Sequence, residues 1–195
     1  MKNSCVRAVV FALAMLSFVA VSAGPASAQG FISPLIGYDF GGDSGCPQAT
    51  GCEDKNLNWG VGVGTLGSAI GFEEEFAYAR DFFGKTPTRS SSVLTVMSNL
   101  MIAPAIGPVH PFLIGGVGLM KTHVDFTTSS LLSTKENGAA WDAGAGLLVL
   151  AGGHVGLRGD VRHFRSFKDF DVLGVPIQNT KLRYNRASIA LFLRF

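Results

Sequence analysis

Beyond residue 28, apolar side chains recur at every second position, and nowhere do they fall at the three- and four-residue spacing of an amphipathic helix. Eight segments carry the alternation: Phe31 to Phe40, Leu57 to Leu66, Ile70 to Phe83, Val93 to Ala103, Pro111 to Val124, Ala139 to Leu150, Val155 to Phe164 and Arg183 to Phe195. Each is ten to fourteen residues long. Strands of soluble proteins usually run about five or six residues, whereas a tilted strand needs roughly nine to eleven to cross a bilayer.

The connections alternate in kind. Gly67-Ser68-Ala69, Ile106-Gly107-Pro108-Val109 and Ala151-Gly152-Gly153 are tight turns, while Gly41 to Asn56, Gly84 to Ser92, Asp125 to Gly138 and Ser166 to Leu182 are longer and polar. Short turns at one end and long loops at the other are the plan of an outer-membrane barrel, with the long loops facing outward.

The two faces of each segment say which side meets lipid. In the second, Leu57, Trp59, Val61, Val63 and Thr65 oppose Asn58, Gly60, Gly62 and Gly64; in the sixth, Trp141, Ala143, Ala145, Leu147 and Val149 oppose Asp142, Gly144 and Gly146. In the seventh, Val155, Leu157, Gly159 and Val161 oppose Arg158, Asp160 and Arg162. A soluble barrel places its apolar side chains inside and its charges outside. The small and charged face here fits a narrow interior, and the continuous apolar face fits lipid.

Threading the strands up and down places Trp59, Trp141, Tyr38, Tyr78 and Tyr184 toward the long-loop end. Tyr38, Trp59, Tyr78 and Trp141 lie on the apolar face, as an interfacial aromatic girdle requires, and parity turns Tyr184 inward. The last nine residues, ASIALFLRF, also alternate, with Ala187, Ile189, Leu191, Leu193 and Phe195 on one face. In a closed barrel this strand pairs on both sides, with the seventh and the first, and no free edge remains.

Residues 1–28 read as a cleaved signal peptide: Lys2 and Arg7 are a positive start, Ala8 to Val21 an apolar run, and Ala26-Ser27-Ala28 a small-residue cleavage site. The competing reading is an uncleaved anchor, against which Gly24, Pro25 and the Ala-x-Ala site weigh. The signal holds two of the sixteen Lys and Arg and none of the fourteen Asp and Glu, so residues 29–195 carry fourteen charges of each sign. That balance gives no basic footprint for nucleic acid. Cys46 and Cys52, close together in an exported chain, read as a disulfide, with a metal site as the alternative that lacks further ligands nearby.

The whole exported region resembles the small eight-stranded OmpA/OmpX-like barrels of the outer-membrane "porin family" β-barrel domain. PLIGYDFGG opens the first strand, GFEEEFAYARDFFG lies on the third, PFLIGGVGL on the fifth and GLRGDVRHF on the seventh. The alternating C-terminal strand ending in Phe195 resembles that family's assembly signal. The resemblance implies recognition of Phe195 by the barrel-assembly machinery and contact with outer-membrane lipid and lipopolysaccharide. It further implies a non-enzymatic role in envelope integrity or surface interaction.

Gly62-Val63-Gly64-Thr65-Leu66-Gly67 matches a dinucleotide fingerprint, but a turn and a strand follow it where a helix is required. Arg158-Gly159-Asp160 spells an adhesion tripeptide in mid-strand, with its charges inward. Lipid A deacylases, also eight-stranded barrels, carry a His-x-Ser pair. Here His163 and Ser166 stand one residue further apart and face opposite ways unless a bulge intervenes. No nucleophile, base and orienter set emerges, and no cofactor or metal is expected.

The inward charges are Glu73, Glu75, Asp81, Asp142, Arg158, Asp160, Arg162, Arg186 and Arg194. They form either a salt-bridged core filling the lumen or the lining of a narrow channel. Eight strands leave an interior only wide enough for side chains, which favours the filled core. Glu74 falls on the lipid face between Phe72 and Phe76, on a bulge or facing lipid. The expectation is therefore an all-β, closed, antiparallel, eight-stranded transmembrane barrel over residues 29–195, monomeric, with short periplasmic turns, longer extracellular loops and both termini periplasmic. Three functions are carried forward: a structural or surface-interaction protein, a porin-like channel for small solutes, and a lipid-modifying enzyme.

Overall fold

A computed structural model of the chain describes residues 28–44, 57–82, 89–126, 134–167, 171–172, 175–176 and 181–195. The expected signal peptide, apart from Ala28, and the Cys46/Cys52 pair lie outside these residues.

The strands are β1 (Gln29–Phe40), β2 (Leu57–Leu66), β3 (Ile70–Arg80), β4 (Arg89–Ile102), β5 (Val109–Phe126), β6 (Thr134–Ala151), β7 (Val155–Ser166), β8 (Asp171–Val172), β9 (Val175–Pro176) and β10 (Arg183–Arg194). Eight of them close into a barrel in the order β1-β10-β7-β6-β5-β4-β3-β2, every neighbouring pair antiparallel. β8 and β9 form a two-stranded hairpin within the last long connection.

Closure is made by β1 and β10, which pair from Phe31↔Arg194 to Phe40↔Asn185 but skip Ser33 and Pro34. Proline has no N–H to give to the ladder, so the gap falls where the sequence places it. The chain's end is held on both sides: the Phe195 N–H donates to the Gly30 carbonyl at 2.9 Å and the Arg194 N–H to the His154 carbonyl at 2.7 Å. Gly152 and Gly153 both adopt positive φ, 66° and 83°, in the tight turn between β6 and β7, a conformation that glycine reaches without steric penalty.

Most strand boundaries differ from the sequence expectation by a residue or more, the end of β3 and the starts of β4 and β6 by the most. β3 ends at Arg80 rather than Phe83, because Asp81 takes φ 54° and turns the chain so that Phe82 is fully buried. β4 begins four residues earlier than expected, at Arg89. β5 and β6 extend as a hairpin through Val124↔Thr134, so much of a segment expected as loop is strand. Its polar residues carry no apolar stripe. The antiparallel ladder continues there in unbroken register.

The period of two sorts side chains as expected. Ile36, Trp59, Leu113, Val117, Leu147, Leu157, Val161 and Ile189 are exposed on the outside. Inside, Arg158, Arg162 and Arg186 are among the largest fully buried side chains.

Candidate functional site

The interior is built in three layers, each set by inward parity. At the short-turn end, Phe31, Leu66, Met101, Ala103, Phe112, Ile114, Leu148 and Phe192 form an apolar cluster, with the Phe31 and Phe192 rings stacked at 4.5 Å between centroids. At the long-loop end a second cluster holds Ala79, Phe82, Val93, Met97, Met120, Ala140, Phe164, Leu182 and Tyr184. Tyr184 lies parallel to Phe164 at 5.0 Å and takes Phe82 edge-on at 4.8 Å. The charges occupy the belt between these two layers.

Arg162, on β7, is the hub. Its Nη2 lies 2.6 Å from Glu75 Oε2 and 3.3 Å from Glu73 Oε1, its Nε 3.1 Å from Asp160 and its Nη1 3.4 Å from Asp142. Arg158 pairs with Glu73, with its Nε 2.9 Å from Asp160. Asp160 also accepts from Ser188 Oγ at 2.8 Å. Asn99 joins Asp142 to Arg162 when its amide is turned to donate to Asp142 (2.8 Å) and accept from Arg162 (3.2 Å). Buried charges must be paired and hydrogen-bonded to be tolerated, and this belt meets that demand with multiple partners per guanidinium.

Arg186 forms the second half. Its Nε sits 2.7 Å from Asp39 Oδ1 and its Nη1 3.5 Å from Glu75 Oε1, so Glu75 joins the two halves. Asn58 donates to Asp39 at 2.8 Å and Thr95 Oγ1 accepts from Arg186 at 3.4 Å. The guanidinium lies over the Phe164 ring at 4.8 Å, as that of Arg158 lies over Phe112 at 4.8 Å. These cation–π contacts tie the belt to the apolar layers on either side.

Glycine makes room for the belt. A Cβ at Gly62 would come 2.8 Å from Glu73 Oε2 and one at Gly144 2.7 Å from Arg162 Cγ. Of the fingerprint-like Gly62 to Gly67 stretch, Gly62 and Gly64 thus lie in a strand against lumen residues, and Gly67 lies in the turn that follows.

Glu73, Glu75, Asp142, Arg158, Asp160, Arg162 and Arg186 are brought together. Arg194 is not: it is half-buried at the short-turn end and forms no ion pair among the described residues, so it does not belong to the network expected from its parity. A period of two sets the direction of a side chain but not its height in the barrel. Asp81 lies at the opposite end, 3.8 Å from exposed Arg80. Asp39, Asn58, Thr95, Asn99 and Ser188 were absent from the sequence-derived set. The parity that turns Tyr38 outward already turned Asp39 inward, so that signal was present.

Tyr38 and Trp59 are exposed, Trp59 is 5.9 Å from Tyr78, and Trp141 lies 5.7 Å from the His163 ring. Phe195 projects outward, 75% exposed. β7 pairs without a bulge from Val155 to Ser166, with His163 on the outside and Ser166 buried. Glu74 likewise sits on no bulge: β3 pairs continuously, and Glu74 faces outward, accepting from Ser98 Oγ at 2.7 and 2.9 Å. Among the described residues no three His, Cys, Asp or Glu side chains converge as a metal site.

Comparison with known proteins agrees with this architecture. Residues 11–195 match the family model for the outer membrane protein β-barrel domain. Among solved structures, a major outer membrane protein from Thermus thermophilus is 11% identical with a TM-score of 0.63, covering 87% of this chain and 100% of its own. Neisserial surface protein A is 13% identical with a TM-score of 0.61, covering 89% and 100%. The N-terminal barrel domain of Pseudomonas aeruginosa OprF is 10% identical at 0.53, covering 86% and 97%. At such identities these structures speak for the fold alone. No curated protein matches the sequence. With nearly its whole length matched by the family model and its strands closed into eight, the chain belongs to the outer membrane protein β-barrel domain family, barrels of the bacterial outer membrane.

Proposed function

We propose that this protein acts as a closed, non-conducting barrel whose role is structural or is exercised through its outer surface and extracellular loops, and that it is not an enzyme. One observation carries the reading: the charged belt is capped by an apolar layer at each end, with Phe82, Phe164 and Tyr184 above it and Phe31 and Phe192 below, all fully buried. An ion entering the lumen would have to shed its water against aromatic rings before meeting any compensating charge, a cost of several kcal/mol or more.

The porin-like alternative needs a continuous wet path, and the two apolar layers speak against one. The lipid-modifying alternative needs His163 and Ser166 on one face, and they occupy opposite faces. Export by cleavage of residues 1–28, insertion through an assembly signal at Phe195, and a monomeric state complete the proposal. The single experiment is conductance of the purified protein in planar bilayers. The expected record is flat at physiological salt; reproducible unitary steps would overturn the closed barrel.

A further inference from the structure

The charges of the belt do not balance. Asp39, Glu73, Glu75, Asp142 and Asp160 bring five carboxylates between the apolar layers, and Arg158, Arg162 and Arg186 bring three guanidiniums. Fully ionised, the belt would hold an excess of two negative charges where water is excluded, and an uncompensated buried charge is strongly disfavoured. Positive charge beyond the three arginines has to be bound there.

The hydrogen bonds separate the carboxylates that need their charge from the one that does not. Asp39 takes two nitrogens of Arg186, at 2.7 and 3.3 Å, with Asn58 in support. Glu73 is shared by Arg158 and Arg162. Asp160 accepts from the Nε of both arginines and from Ser188. Glu75 lies 2.6 Å from Arg162, although its Oε1 has no hydrogen bond among the described residues and stands 3.5 Å from Arg186. Asp142 has the least: one contact with Arg162 at 3.4 Å, beyond the roughly 2.7–2.9 Å of a charge-assisted bond, and the neutral amide of Asn99 on β4. Its ladder neighbours, Gly116 of β5 and Phe164 of β7, offer it no polar side chain. Around the single Arg162 guanidinium it competes with Glu73 and Glu75 of β3 and with Asp160 of β7. Carboxylates crowded on one cation in a dry interior do not all stay ionised.

We propose that the folded belt holds a bound proton at neutral pH, and that Asp142 carries it as a neutral carboxylic acid. The proton leaves Arg162 to the three carboxylates that approach it at 2.6 to 3.3 Å, and it brings the belt within one charge of balance. The proposal rests on the closed-lumen reading, because in a wet channel water and mobile ions would compensate all five carboxylates.

The test is the infrared spectrum of the folded full chain in an ester-free detergent, where a protonated carboxyl shows a C=O stretch apart from those of carboxylates and amides. At neutral pH the parent should show one such band, which shifts when aspartate alone is isotopically labelled and is lost in D142N. D39N, which removes an aspartate paired at 2.7 Å, should keep the band. Asparagine resembles the neutral acid in charge and size, so D142N should unfold at the parent's urea midpoint, unlike D39N. In E73Q/E75Q, which takes away two negative charges, Asp142 should ionise to serve Arg162 and the band should vanish. Gel migration before and after boiling checks that each variant is folded. No carboxylic acid band in the parent, or one that folded D142N retains, overturns the proposal, and so does a D142N midpoint as low as that of D39N. A missing band, with a midpoint that falls when sodium is replaced by tetramethylammonium, would give the missing charge to a bound metal cation instead. Flat conductance with no band sinks the proton alone, whereas channel steps sink the closed barrel on which it rests.

Discussion

Asp39 and Arg186 face each other in register across the seam where the first and last barrel strands meet, and their side chains close an ion pair of 2.7 Å inside the lumen. Closure is the step with the greatest sequence separation in the fold, joining residues 147 apart. A buried charge pair at that seam rewards the correct register and penalises a slip of one residue, which would turn one of the two charges toward lipid and leave the other buried without its partner.

Substitution Asp39→Asn should therefore weaken the barrel disproportionately. Arg186 would keep Glu75 at 3.5 Å but lose its shortest partner. Breaking a buried pair from one side costs about 3 to 5 kcal/mol, and the lower end is expected because Glu75 remains. Urea unfolding of D39N in lipid vesicles, followed by tryptophan fluorescence, checks this; a midpoint equal to the parent's would show that the seam does not depend on the pair.

The double substitution Glu73→Gln and Glu75→Gln tests the belt as a whole. Volume is nearly conserved, while Arg158 and Arg162 are left with Asp160 and Asp142 only. A filled, dry lumen predicts a loss of about 3 to 5 kcal/mol, whereas charges lining a wet channel would lose only about 0 to 1. Conductance should stay absent even so, because both apolar layers remain in place. Unchanged stability in the double variant would reject the filled core.

Glu74 offers a prediction of opposite sign. It faces outward between Phe72 and Phe76, with Ser98 donating to it. A lipid-facing carboxylate is unfavourable, though less so than the 2 to 4 kcal/mol of a basic group at the midplane. Glu74→Leu should therefore raise stability by about 1 to 2 kcal/mol, read as a higher urea midpoint in vesicles. A lower midpoint would mean that the bond to Ser98 outweighs the transfer of the carboxylate into lipid.

The proposed Cys46–Cys52 disulfide closes a loop of seven residues. So short a loop restricts the unfolded chain little, and its stabilisation should lie at the low end of about 2 to 4 kcal/mol. Protease resistance of the first long loop should respond to Cys46→Ser more than barrel unfolding does. Recovery of both cysteines as free thiols in protein from the envelope, by mass spectrometry after alkylation, would refute the bond.

The sequence by itself determined the number of barrel strands, their up-and-down order, the ends bearing tight turns and long loops, and the direction of most strand side chains, Glu74 and the His163/Ser166 pair waiting on the absence of a bulge. A period of two is a local property of extended backbone, so Tyr38 outward and Glu73 inward follow without knowledge of any neighbour. What only the tertiary structure decided is height and partnership. Arg194 and Arg186 share an inward parity, yet one ends half-buried at the short-turn end and the other lies beside Asp39, because strand tilt and register set which residues share a level. The layering of the lumen was hidden for the same reason: Phe31 and Phe192, 161 residues apart, become one stacked pair only when β1 meets β10. Even the polar β5–β6 extension, expected as loop, is strand because its neighbour supplies the ladder. Direction is written in the chain one residue at a time, but adjacency exists only once the sheet has closed.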